Sequence, residues 1–72
     1  LAHLAAEFEL SEREKEALTC MDGGMTNAQI AENMGISLST VKKHVYHIFE
    51  KVGVDTRVQL RNVLETYNST KF

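Results

Sequence analysis

Apolar residues in this chain recur at helical rather than strand spacing, and short polar or glycine-containing breaks divide them into blocks. In Leu10-Ser11-Glu12-Arg13-Glu14, Ser11 has the side chain of an N-cap, and Glu14 three residues later is the reciprocal acid of a capping box. Ala17, Leu18 and Met21 form the inward stripe that follows and Gly23-Gly24 closes it, which predicts a helix over about 11–22. Thr26 and Gln29 repeat the capping box, with Met25 placed to staple onto Ile30. Ile30, Ala31 and Met34 then carry a helix over about 26–34, ended by Gly35. Ser37 caps a third, over about 37–51, flanked by Ile36 and Val41 as a staple and followed by Gly53. Its apolar residues Val41, Val45, Ile48, Phe49 and Val52 lie within about 100° of arc. Ser39, Lys43, Tyr46, His47 and Glu50 take the opposite side, with Lys42 and Thr40 on its shoulders. A fourth helix over about 56–68, capped by Asp55 or Thr56, carries Leu60, Val63, Leu64 and Tyr67. β-Branched residues never alternate with polar ones over a strand length, so the expected class is all-α with four helices.

Ahead of Ser11, Leu1, Leu4, Ala5 and Phe8 also have helical spacing, consistent with a linker or the end of an interdomain helix over residues 1–9, or with a frayed terminus. The chain opens on Leu1 rather than methionine, which predicts a piece of a longer protein. Its 72 residues, 43% apolar and 25% charged, are ordinary globular composition for one small domain. A single cysteine, Cys20, allows no intramolecular disulfide and reads as a small apolar residue, so a reducing cytoplasm is expected. No apolar run approaches the roughly 20 residues of a membrane span, and no signal peptide is present, so membrane contact by this segment is not expected. The net charge of −2 speaks at first against a nucleic-acid partner. It is unevenly laid out: residues 1–36 hold two basic and seven acidic side chains, residues 37–72 six basic and three acidic.

The basic half begins where two helices are joined by Gly35-Ile36-Ser37. A helix, a short turn containing glycine, and a second helix with a polar, basic outer face is the layout of a DNA-binding helix-turn-helix. In it the first helix buttresses the second, which lays its outer face in the major groove, where lysine, serine, threonine and tyrosine reach base edges and phosphates. Lys42, Lys43 and Tyr46 face the right way.

Four blocks, in order, carry a family resemblance: Leu10-Ser11-Glu12-Arg13-Glu14; Gly24-Met25-Thr26-Asn27-Ala28-Gln29-Ile30-Ala31; Ile36-Ser37-Leu38-Ser39-Thr40-Val41-Lys42-Lys43-His44; and Lys51-Val52-Gly53-Val54-Asp55-Thr56-Arg57. Together they resemble the LuxR-type (NarL/GerE-like) helix-turn-helix domain over about residues 10–66. The resemblance implies a four-helix domain over 10–72 that binds promoter DNA in a bacterial transcription regulator, commonly as the C-terminal part of a response regulator or ligand-sensing activator. It implies base reading by Lys42, Lys43 and Tyr46, and places Thr26, Asn27, Ser39, Thr40, His47, Lys51 and Arg57 at the DNA backbone. Leu60, Val63, Leu64 and Tyr67 fall on the helix that pairs two protomers in that family; by residue type alone, Leu60, Val63 and Leu64 serve equally as core. Many members have a basic residue after the asparagine of the scaffold helix, where this chain has Ala28. One backbone contact is missing there.

The implied partners are double-stranded promoter DNA, a second copy of the chain, RNA polymerase, and a sensor or receiver domain outside this segment. If Lys42, Lys43, Lys51 and Arg57 each neutralise one phosphate, a dimer gives a log–log salt slope near about −7. A promoter-reading sigma-factor domain is a competing reading, although it has no need of a fourth amphipathic helix. A helical protein-interaction module, suggested by the acidic balance, is another. No Ser/His/Asp or Cys/His set, carboxylate pair or phosphate-binding glycine loop argues for an enzyme. No cofactor is implied, and His44 and His47, three residues apart without a third ligand, make a metal site unexpected. His44 projects onto the flank of the apolar stripe and is expected to be half-buried.

Overall fold

Serine and threonine cap four of the helices in the computed structural model, which describes residues 2–69, with side chains over 3–67. Five helices follow one another: α1 (Ala2–Glu7), α2 (Glu12–Asp22), α3 (Asn27–Met34), α4 (Leu38–Val52) and α5 (Arg57–Ser69). The four expected helices are present, each within one residue of its predicted ends, and no strand occurs among the described residues. Ser11 and Thr26 close complete capping boxes with Glu14 and Gln29, and the Ser37 hydroxyl accepts from the Thr40 amide. Of the two candidates for α5, Thr56 takes the cap: its Oγ1 accepts from the Gln59 amide, and Gln59 Oε1 accepts from the Thr56 and Asp55 amides in return. Each cap satisfies backbone donors that a helix start leaves unpaired.

The first four helices also end alike. The amides of Leu10, Met25, Ile36 and Val54 each reach back five residues, to the carbonyls of Ala5, Cys20, Ala31 and Phe49, the closure that needs a left-handed residue just past the helix. Gly35 supplies it in the turn between α3 and α4, with φ 67°. After α1 the position is held by Glu9, a non-glycine residue at φ 54°.

The core is built from the predicted stripes. Leu18, Ile30, Val41, Ile48 and Leu60 are fully buried or nearly so, with Ala17, Met21 and Leu64 among them. Each large side chain withdrawn from water stabilises the fold by about 1.5–3 kcal/mol. α4 packs on both α2 and α3, and α2 and α3 pack on each other. Across the last pair, Asn33 Nδ2 donates to the sulfur of the buried Cys20 at 3.3 Å. Residues 2–7 are helical and lie against α5: Leu4 is fully buried, and the rings of Phe8 and Tyr67 meet edge to face at 6.3 Å. No helix among the described residues is long and apolar enough to cross a membrane.

Candidate nucleic-acid interface

The two faces of α4 differ as its sequence period requires. Val41 and Ile48 anchor one face in the core, while Ser39, Lys42, Lys43, Tyr46, His47 and Glu50 are exposed on the other. The α3–Gly35 turn fixes how that outer face is presented. Val41, Val45, Phe49 and Val52 pack in the same cluster as Ile30 and Ala31, so α4 cannot roll without uncovering them. His44 sits half-buried at the margin, as expected. Tyr46 is 60% exposed, with its hydroxyl donating to Glu50 Oε2 at 3.2 Å and its ring tilted against His47 at 5.8 Å between centroids.

Two of the other expected backbone contacts lie at the start of α3, which packs on α4. Thr26 is exposed, its Oγ1 accepting from the Gln29 amide at 3.2 Å. Asn27 is half-buried, and its Oδ1 is a buried oxygen without a hydrogen-bond partner. Thr40 is half-buried, its hydroxyl 2.9 Å from that of Ser37.

Lys51, expected at the DNA backbone, is exposed but engaged by α2 and the turn before it. Its ammonium donates to Glu14 Oε1 at 2.8 Å and to the Glu9 carbonyl at 3.2 Å. The reason is Glu14: its side chain is only 8% exposed, and a carboxylate removed from water needs a charged partner. The Ser11 amide donates to the same oxygen at 3.0 Å, and His47 Nδ1 lies 3.6 Å from the other. Burial by itself raises the Glu14 pKa, but the hydrogen bonds from Lys51 and Ser11 and the charges of Lys51 and His47 prevail and hold it below the ordinary value. Arg57 is likewise engaged, its Nη2 donating to the Met25 carbonyl.

The residues expected on a pairing face divide. Leu60 and Leu64, at 1% and 3% exposure, belong to the core of a single chain. Of the two places open to them, core or pairing surface, the core takes both, and they complete the buried cluster from α5. Val63 is half-buried. Tyr67 contacts Phe8 and is bonded to Glu7, which, with its partial burial and the Glu7 charge, raises the pKa of its hydroxyl. The solvent side of α5 carries Val58, Arg61, Asn62 and Glu65 instead, with Val58 at 70% exposure. Sequence reasoning gave Glu14 and Glu50 no part here. Glu14 had a visible role as a capping acid, whereas its partner Lys51 is 37 residues away. Glu50 stands four residues from Tyr46, a spacing that could have marked the pair. No group of three His, Cys, Asp or Glu side chains able to hold a metal ion occurs among the described residues.

Comparison with known proteins points the same way along the chain. A family model described as bacterial regulatory proteins, luxR family, matches residues 9–64. A probable transcriptional regulatory protein of Hyphomicrobium methylovorum, SgaR, is 46% identical over 48 residues, which are 67% of this chain and 23% of that protein. The CsgBAC operon transcriptional regulatory protein of Escherichia coli K12 is 44% identical over 50 residues, 69% of this chain and 23% of its own length. The transcriptional regulatory protein DegU of Brevibacillus brevis shares 44% identity over 50 residues, 69% of this chain and 21% of its length. The matched stretch thus spans about a quarter of the curated relatives or less. No solved structure matches the chain significantly.

Proposed function

The chain belongs to the luxR family of bacterial regulatory proteins, and we propose that it binds double-stranded promoter DNA sequence-specifically, as the C-terminal effector domain of a cytoplasmic transcription regulator such as a response regulator. The observation that carries this reading is the outer face of α4, where Ser39, Lys42, Lys43, Tyr46 and His47 are all exposed on a helix anchored from behind by Val41 and Ile48. Lys42, Lys43 and Tyr46 read base edges, and Ser39, Thr40 and His47 lie toward the sugar–phosphate backbone. Thr26 and Asn27 bring the N-terminus of α3 to a phosphate, where unpaired amides and the helix dipole favour an anion. Lys51 and Arg57 support the interface from within, through Glu14 and the Met25 carbonyl.

A module of this size buries only about 600–1,000 Å² on DNA, so two copies on two half-sites are the route to useful affinity. Pairing runs through the solvent side of α5, with Val58 as its apolar element and Val63 and Tyr67 at its margin. Residues 10–72 are the DNA-binding unit, 1–9 join it to a sensor or receiver domain, and RNA polymerase is the downstream partner.

Selecting bound sites from random duplexes tests the reading. A repeat of two half-sites about one helical turn apart is the expected outcome. Recovery of no sequence above background contradicts it.

A further inference from the structure

Glu50, exposed on the same face of α4, is placed to decide what Tyr46 offers a base. The two residues stand one turn apart on the exposed face of α4, and the Tyr46 hydroxyl donates to Glu50 Oε2 at 3.2 Å. A tyrosine hydroxyl has one proton to donate and two lone pairs, whereas a carboxylate only accepts. While that proton points at Glu50, the groove side of the hydroxyl presents lone pairs alone. The His47 ring, 5.8 Å from that of Tyr46, borders it on the neighbouring side.

Resting on the proposal that α4 faces the bases, we infer that Glu50 is a positioning residue that sets specificity: it makes Tyr46 an acceptor, so that Tyr46 selects adenine or cytosine on the strand it meets. In the major groove adenine and cytosine offer amino hydrogens, at N6 and N4, while guanine and thymine offer acceptors at O6, N7 and O4. Lone pairs facing those acceptors repel, and the Glu50 carboxylate adds to the repulsion. Without Glu50 the hydroxyl is free to rotate and donate, and the discrimination is lost.

Site selection from random duplexes followed by titration of duplexes differing at one base pair tests the inference on the unaltered chain and on Tyr46→Phe, Glu50→Ala and Glu50→Gln. The unaltered chain prefers adenine or cytosine at one position by about fivefold or more. Tyr46→Phe flattens that position and no other. Glu50→Ala admits guanine and thymine there, and Glu50→Gln, whose amide oxygen still accepts, restores the preference. A uniform gain of affinity in both Glu50 variants, with base preferences unchanged, means that Glu50 acts only as a repelling charge and overturns the inference. Lys43→Ala in the same selection separates the two levels. If it alters base preference while the Tyr46 and Glu50 variants do not, α4 reads DNA and this inference alone fails; if none of the variants alters it, both fail.

Discussion

Two donors converge on one nearly buried carboxylate, that of Glu14: the Ser11 amide at the start of α2 and the Lys51 ammonium of α4, with the His47 ring of α4 3.6 Å from its other oxygen. Lys51→Met leaves Glu14 short of its closest charged partner. Because the Lys51 side chain is 38% exposed, water replaces part of what is lost. Denaturant titration at pH 7 should therefore show a loss of about 2 kcal/mol rather than the 3–5 of a fully buried pair. The same residue fixes an acid limb. The folded-state pKa of Glu14 is lowered from 4.5, so the unfolded chain binds the proton more readily. Its stabilisation is then fully present above about pH 4.5 and is lost as pH falls through the folded value. Glu14→Gln has no such proton to bind, and its stability should fall less steeply below that pH than that of the unaltered chain. An identical acid limb in the variant would place the acid sensitivity elsewhere. Little of this was legible in the chain, because capping boxes are local and Glu14–Lys51 closes a loop of 37 residues for which neither residue carries a mark.

At the scale of elements, α2 to α5 were legible because each of their starts is a hydroxyl side chain answered three residues later, and each stripe keeps one period. What period alone leaves open is which neighbour covers a stripe. Leu60 and Leu64 fit a dimer face as well as a core until α5 is placed, and α5 is placed by its packing on α1 and by its share in the common buried cluster. Leu60→Ala should cost about 2–5 kcal/mol through the lost transfer energy and the cavity it leaves. Val58→Ala, on the solvent side of the same helix, should stay within about 0.5 kcal/mol in the monomer. Thermal unfolding of both variants at low protein concentration checks the assignment, and equal losses would contradict it. Glu9 was equally hidden: its left-handed conformation at φ 54° closes α1 where glycine is the usual residue, so no sequence signal announced the turn.

For the whole molecule, the net charge of −2 conceals two unlike halves. The basic half contains α4 and α5, and a field of that shape turns the proposed interface toward DNA. The number of free cations is smaller than composition suggests, since Lys51 is engaged by Glu14 and the Glu9 carbonyl and Arg57 by the Met25 carbonyl. Lys42 and Lys43 on each of two protomers remain as the free cations that displace counterions when they enter the groove to reach base edges, so the log–log salt slope should be near about −4 rather than about −7. A slope at the steeper value would mean that both engaged side chains let go on binding.

The claim that α4 reads bases is tested most directly by titrating the unaltered chain and Lys43→Ala against a selected duplex and a scrambled one at a single salt concentration. Lys43→Ala should lower affinity for the selected duplex by about 5- to 140-fold, the equivalent of about 1–3 kcal/mol, and lower that for the scrambled duplex far less, by the loss of one cation. Equal weakening on both duplexes would make Lys43 a phosphate contact only and contradict base reading by this face of α4.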